Sequence, residues 1–162
     1  IPGRLEFVPN SLGFSVVVDY AHTDSALENL LQAVKSLNPA RIILIFGCGG
    51  DRDRSKRSRM GEVAARLADW TIITSDNPRS EEPEKIIQDI EQGFVKTDSR
   101  NYEQMADRRA AIQKAITMAA PGDFVVIAGK GHETYQIFKD HTLSFSDYDT
   151  ALEIIKKIEE KK

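Results

Sequence analysis

Short runs of β-branched and other apolar residues alternate along this chain with longer stretches whose apolar positions recur every three or four residues. Phe14–Val18, Arg41–Phe46, Thr71–Ile73 and Phe124–Ala128 are nearly continuous apolar runs. That pattern predicts parallel strands covered on both faces. Between them, Ala26, Leu27, Leu30, Leu31, Val34 and Leu37 form one helical stripe, and Met60, Val63, Ala64 and Leu67 form a second. A third helix is expected to start near Pro83, to carry Ile86, Ile87 and Ile90, and to stop at Gly93. A fourth should run from about Asp107 to Ala119, with Pro121-Gly122-Asp123 turning it into the next strand. A short strand is expected near Tyr102–Met105.

The rhythm breaks towards the end. Tyr135–Phe138, the polar Lys139-Asp140 and Thr142–Phe145 read as a hairpin or an added antiparallel edge, followed by a last helix after Ser146-Asp147. The expected fold is therefore α/β: a doubly wound, Rossmann-like, mostly parallel sheet with an antiparallel C-terminal edge or hairpin. The 162 residues suit one domain over 1–162, and the opening Ile1-Pro2-Gly3-Arg4 reads as a cut or a former linker.

Composition narrows the class. With 41% hydrophobic and 29% charged residues the chain can build a real core. It has no apolar stretch approaching the ~18 residues of a membrane span and no secretory leader, so a soluble protein without a membrane partner is expected. The single cysteine, Cys48, leaves no intrachain disulfide and fits a reducing cytoplasm. A net charge of -3 argues against a nucleic-acid polymer as the main partner.

Four polar loops each follow an apolar run: Asp19–Thr23, Gly47–Asp53, Asp76–Arg79 and Gly129–Glu133. In an open parallel sheet, ligands bind beyond the carboxyl ends of the strands, where these loops should lie. Glycine-rich turns such as Gly47–Gly50 also occur simply to turn the chain. No Gly-x-Gly-x-x-Gly and no phosphate-binding Gly-x-x-x-x-Gly-Lys-Ser/Thr is present, since Gly131 follows Gly129-Lys130. His132-Glu133 opens like a zinc-protease helix, but Gln136 stands where the second histidine belongs, and no metal site is expected. Cys48 reads as a small loop residue rather than a nucleophile. The five cations of Asp51–Arg59 fit either a solvated helix start or an anion-binding rim.

If the loops converge, Arg52 and Arg79 can each form a bidentate pair with a carboxylate, Asp76 and Glu133 can receive ammonium groups, and Asn77 can serve either. A small ligand carrying charges of both signs would satisfy this set. Surface salt bridges among the same residues are the alternative.

Taken together, Asp-Tyr-Ala-His-Thr at 19–23, Phe-Gly-Cys-Gly-Gly-Asp-Arg-Asp at 46–53, Asp-Asn-Pro-Arg at 76–79 and Gly-Lys-Gly-His-Glu at 129–133 resemble the C-terminal domain of the Mur ligases, the MurE type above all. The resemblance runs from Gly3-Arg4 to about Ser146-Asp147. It implies an ATP-dependent amide ligase of peptidoglycan precursor synthesis that joins meso-diaminopimelate to UDP-N-acetylmuramoyl-L-alanyl-D-glutamate through an acyl phosphate. N-terminal and central domains absent from this chain would bind the UDP-sugar and most of the ATP and Mg2+, and would carry most catalytic side chains; no catalytic residue is expected here.

Carried over by motif, Arg52, Asp76, Asn77, Pro78, Arg79, Gly129 and Glu133 would hold diaminopimelate. Arg4 and the Tyr20–His22 stretch would face the adenosine part of ATP. Arg79 would select diaminopimelate over lysine, because lysine-adding members resemble the chain elsewhere but lack that arginine. A lysine-adding Mur ligase, a folylpolyglutamate synthetase-like ligase and a non-catalytic binding module of the same fold remain alternatives. Asp24-Ser25 and Asp147-Tyr148-Asp149 depart from the family pattern, and both departures are expected to leave the amino-acid site untouched.

Overall fold

The computed structural model describes residues 2–162 and forms a six-stranded sheet between two helical layers. The elements are β1 (Glu6–Phe7), β2 (Ser15–Asp19), α1 (Asp24–Lys35), β3 (Ile42–Phe46), α2 (Ser55–Leu67), β4 (Trp70–Ile73), α3 (Pro83–Lys96), β5 (Tyr102–Gln104), α4 (Arg108–Met118), β6 (Phe124–Ala128), β7 (Tyr135–Ile137), β8 (Thr142–Ser144) and α5 (Asp147–Glu160). The sheet order is β1-β2-β6-β3-β4-β5, with β2 to β5 parallel and β1 antiparallel at the edge.

Strand alternation divides the core. Val17, Ile42, Leu44, Phe46 and Val126 face α1, α2 and α3, whereas Val16, Val18, Ile43, Ile45 and Ile127 face α4 and α5. Each fully buried aliphatic or aromatic side chain contributes about 1.5–3 kcal/mol of hydrophobic stabilisation. Side chains of Thr23, Asp107 and Ser146 accept the backbone N–H groups of Ala26, Ala110 and Asp149, which fixes the starts of α1, α4 and α5. Pro83 opens α3, where its missing N–H costs nothing.

Some expectations need correction. α3 does not stop at Gly93 but runs to Lys96. A Cβ at Gly93 would lie 2.2 Å from the Ser58 carbonyl oxygen and 2.4 Å from the Glu62 nitrogen. Gly93 is therefore the point where α2 and α3 press backbone to backbone, not a helix stop. Leu37 lies beyond α1 and is exposed, so the first stripe ends at Val34. Of the two readings offered for the C-terminal strands, the hairpin holds: β7 and β8 pair antiparallel with each other, and β1 supplies the antiparallel edge of the main sheet. Ile1 lies outside the described residues. Gly3 is buried, and its N–H donates to Glu6 Oε1 at 2.9 Å.

Candidate active-site cleft

β6 inserts between β2 and β3, so the chain reverses direction across the sheet at this point and opens a crevice at the carboxyl ends of the strands. All four polar loops meet there around a cleft of about 510 Å3. Its walls include Arg52, Asp76, Asn77, Arg79, Gly129 and Glu133, with Tyr20 and His22 on one side. Pro78 is buried behind the cleft without lining it.

The centre of the arrangement is Lys130, whose side chain is fully buried. Its Nζ donates to Asn77 Oδ1 at 3.0 Å and to Glu133 Oε1 at 3.4 Å, and lies 3.7 Å from Asp76 Oδ1. Burial pushes the Lys130 pKa down, while Asp76 and Glu133 oppose that shift. The two carboxylates share one internal ammonium, so a further cation is still welcome beside them.

Gly129 makes this closeness possible. It has φ of 116°, and a Cβ there would stand 2.8 Å from Asp76 Oδ2.

Backbone contacts lock Asp76–Arg79 to its neighbours. The Gly50 N–H donates to the Asn77 carbonyl at 2.8 Å, and the Arg79 N–H to the Ile137 carbonyl at 3.0 Å. Asn77 Oδ1 also accepts from the Ile137 N–H at 3.0 Å, and Gln136 Nε2 donates to the Asp76 carbonyl at 2.9 Å. The β7–β8 hairpin thus clamps the loop from behind. Arg79 adopts φ of 53°, half-buried, and its Nη1 donates to the Gly50 carbonyl at 2.9 Å. Arg52 Nη1 donates only to the Asp51 carbonyl, at 3.0 Å. Among the described residues neither guanidinium has a carboxylate partner, so the held Arg79 and the exposed Arg52 present two cations to a cleft whose other wall is anionic.

The remaining cations of Asp51–Arg59 disperse. Lys56 Nζ donates to the His22 carbonyl at 2.7 Å, Arg54 reaches Asp89, and Arg59 pairs with Asp24 at 3.4 Å. Arg57 is fully buried, with Nη2 2.8 Å from Glu81 Oε2 and Nη1 3.0 Å from Asp89 Oδ2. These hydrogen bonds hold the Glu81 carboxyl down at about 2. The run is therefore mostly structural, with Arg52 and Lys56 turned to the cleft.

Beyond the Tyr20–His22 loop lies a second cavity of about 380 Å3, lined by Arg4, Tyr20, His22 and residues of α1. The Arg4 guanidinium sits 5.1 Å above the Tyr20 ring, and the Tyr20 and His22 rings are 4.6 Å apart. The loop carrying Tyr20 and His22 therefore divides two cavities, and Arg4 belongs to the outer one. A flat base or an anionic group matches this aromatic and cationic surface.

Cys48 is buried at the cleft floor, its Sγ 3.6 Å from Met60 Sδ, and burial pushes its thiol up to about 12. It is no nucleophile at neutral pH. A larger cavity than the cleft, about 860 Å3, lies between the hairpin and the starts of α4 and α5, and none of the candidate residues lines it.

Sequence reasoning overlooked Lys130, although its motif was in view, and Gln136, which registered only as a missing histidine. It overlooked Arg108 as well, and gave Asp147 no part in the site. Both are fully buried and paired, with Arg108 Nε and Nη2 each 2.8 Å from the Asp147 carboxylate. Arg108 Nη1 donates to the Ser75 carbonyl at 2.9 Å and Nη2 to the Ala128 carbonyl at 3.2 Å. The Asp147 region is thus connected, through Arg108, to the strand ends that carry the cleft.

Residues 3–131 match the family model described as Mur ligase, glutamate ligase domain. The chain is 53% identical over 156 residues to the UDP-N-acetylmuramoyl-L-alanyl-D-glutamate–2,6-diaminopimelate ligase of Syntrophomonas wolfei, covering 96% of this chain and 32% of that protein. It is 52% identical to the protein of the same name from Solibacter usitatus, covering 96% of this chain and 31% of the relative. A solved structure of a ligase of this name superposes with a TM-score of 0.90 at 40% identity, over 98% of this chain and 32% of the other. The chain thus spans about a third of the length of these relatives. Its fold, its four converging loops and this match over most of its length agree: the chain belongs to the Mur ligase family.

Proposed function

We propose that this chain is the amino-acid-binding domain of an ATP-dependent ligase that joins meso-diaminopimelate to UDP-N-acetylmuramoyl-L-alanyl-D-glutamate in the cytoplasm. The observation that carries the reading is the half-buried Arg79 guanidinium, free of any carboxylate partner among the described residues, in the same cleft as Asp76 and Glu133. Diaminopimelate has two ammonium and two carboxylate groups and matches both walls. Asp76 and Glu133 receive an ammonium group, the Asn77 amide and Gly129 backbone complete that wall, and Arg79 and Arg52 receive a carboxylate. Pro78 shapes the loop from behind. Lysine lacks the distal carboxylate and would leave Arg79 facing nothing. The relatives' names support the same amino acid.

ATP fits the surface formed by Arg4, Tyr20 and His22, a stacking face with a cation above it. When bound, it supplies the phosphoryl group that activates the acceptor carboxylate. Among the described residues no three His, Cys, Asp or Glu side chains gather as a metal set, and no step is assigned to Mg2+ in this domain. What this chain contributes is orientation. Fixed charges on two walls hold the incoming amine in one pose, which can remove several kcal/mol from a bimolecular barrier.

The test is ligation by the full-length protein supplied with UDP-precursor dipeptide, ATP, magnesium and labelled meso-diaminopimelate, beside the 162-residue chain alone. Product from the full-length protein only is expected. Product from the isolated chain would overturn the division of labour, and product with lysine but not diaminopimelate would overturn the substrate.

A further inference from the structure

Arg108 and Asp147 are the first residues of α4 and α5, and both side chains are fully buried. A cation at a helix N-terminus opposes the helix dipole, and burying an ion pair gains little stability over a well-packed apolar pair. What an apolar pair cannot do is donate to two carbonyl groups. The Ser75 carbonyl belongs to the peptide that leads into Asp76, and the Ala128 carbonyl to the peptide that leads into Gly129. Because a peptide is planar, fixing its carbonyl fixes the direction in which the next residue leaves. Gln136 holds the following peptide through the Asp76 carbonyl, so both planes flanking Asp76 are held from within the protein.

We infer that Arg108, oriented by Asp147, is a positioning residue that sets the relative placement of the Asp76–Arg79 and Gly129–Glu133 loops, and through them the affinity for the incoming amino acid. This inference rests on the function proposed above. Arg108 does not line the cleft; it acts through the two strand ends. Their separation decides whether Asp76 and Glu133 both reach Lys130 and one ligand ammonium group.

The experiment uses the full-length ligase. Removing one partner alone strands a buried charge and destabilises strongly, so the informative variant is the double replacement Arg108→Met with Asp147→Leu, which restores an apolar pair. It is expected to melt near the wild type, to raise KM for meso-diaminopimelate roughly 10- to 100-fold, and to leave KM for ATP and the UDP-precursor unchanged. Hydrogen exchange should accelerate at 74–79 and 127–133 and not elsewhere. A folded double variant with unchanged diaminopimelate KM, or with all three KM values raised alike, overturns the inference.

If the double variant does not fold, Arg108→Lys decides. A lysine keeps the charge opposite Asp147 but cannot reach both carbonyls, so the same selective rise is expected, and an unchanged KM contradicts the assignment. Should the wild type fail to use diaminopimelate, the proposed function falls on its own. The exchange measurement then still tests the positioning: localised acceleration supports it, and unchanged exchange at both segments refutes it.

Discussion

Lys130 Nζ lies 3.0 Å from Asn77 Oδ1, a buried contact between residues from the ends of β6 and β4. It joins the two loops that present the carboxylates of the cleft. Removing the ammonium leaves the Asn77 oxygen with one donor fewer and the Asp76 and Glu133 carboxylates without their shared counter-charge. Lys130→Met is therefore expected to lower the unfolding free energy by about 1–3 kcal/mol and to weaken diaminopimelate use at least tenfold. Urea unfolding and steady-state kinetics measure both. Wild-type kinetics in the variant would show that the carboxylates hold their places unaided.

Acid should expose the Arg57–Glu81 pair. Glu81 titrates near 2 in the folded protein, below its ordinary value of 4.5, because Arg57 donates to the ionised form. The unfolded chain binds the proton first as pH falls, so this stabilisation is complete above about 4.5 and is lost progressively towards 2. Unfolding free energy followed across that window should fall less steeply in Glu81→Gln than in the wild type. Identical slopes would mean that the pair contributes nothing to acid stability.

The partition formed by Tyr20 and His22 predicts a kinetic split. In the full-length enzyme, Arg4→Ala, which strips the cation from above the Tyr20 ring, should raise KM for ATP severalfold and leave KM for diaminopimelate nearly unchanged. His22→Ala should move the ATP value more than the amino-acid value, although His22 also borders the cleft. Varying each substrate in turn measures both. A change confined to diaminopimelate would assign these residues to the wrong cavity.

Much of this molecule is legible in its sequence because its regular elements announce themselves locally. Runs such as Ile42–Phe46 are apolar at every position since helices cover both faces, and polar loops after such runs mark the carboxyl edge of the sheet. What escaped depends on distant packing. Gly93 looks like a helix stop until α2 is seen against it. Nothing local in the sequence marks Lys130, Arg108 or Asp147 as buried. Their burial follows only from partners 53 and 39 residues away. The hairpin was visible as a pattern, but its task of clamping Asp76 and Asn77 through Gln136 and Ile137 was not. No local signal reports a contact between a side chain and a remote backbone carbonyl.

The most direct test of the account is Arg79→Ala in the full-length ligase, assayed with meso-diaminopimelate and with lysine. Truncating one partner of a desolvated charge pair costs ~2–5 kcal/mol, or roughly 30- to several thousand-fold in kcat/KM. A loss of that size is expected with diaminopimelate, and a much smaller change in any residual use of lysine, which has no distal carboxylate for Arg79 to hold. Equal losses for both amino acids would show that Arg79 serves the loop through the Gly50 carbonyl rather than the ligand, and an undiminished diaminopimelate rate would contradict the account outright.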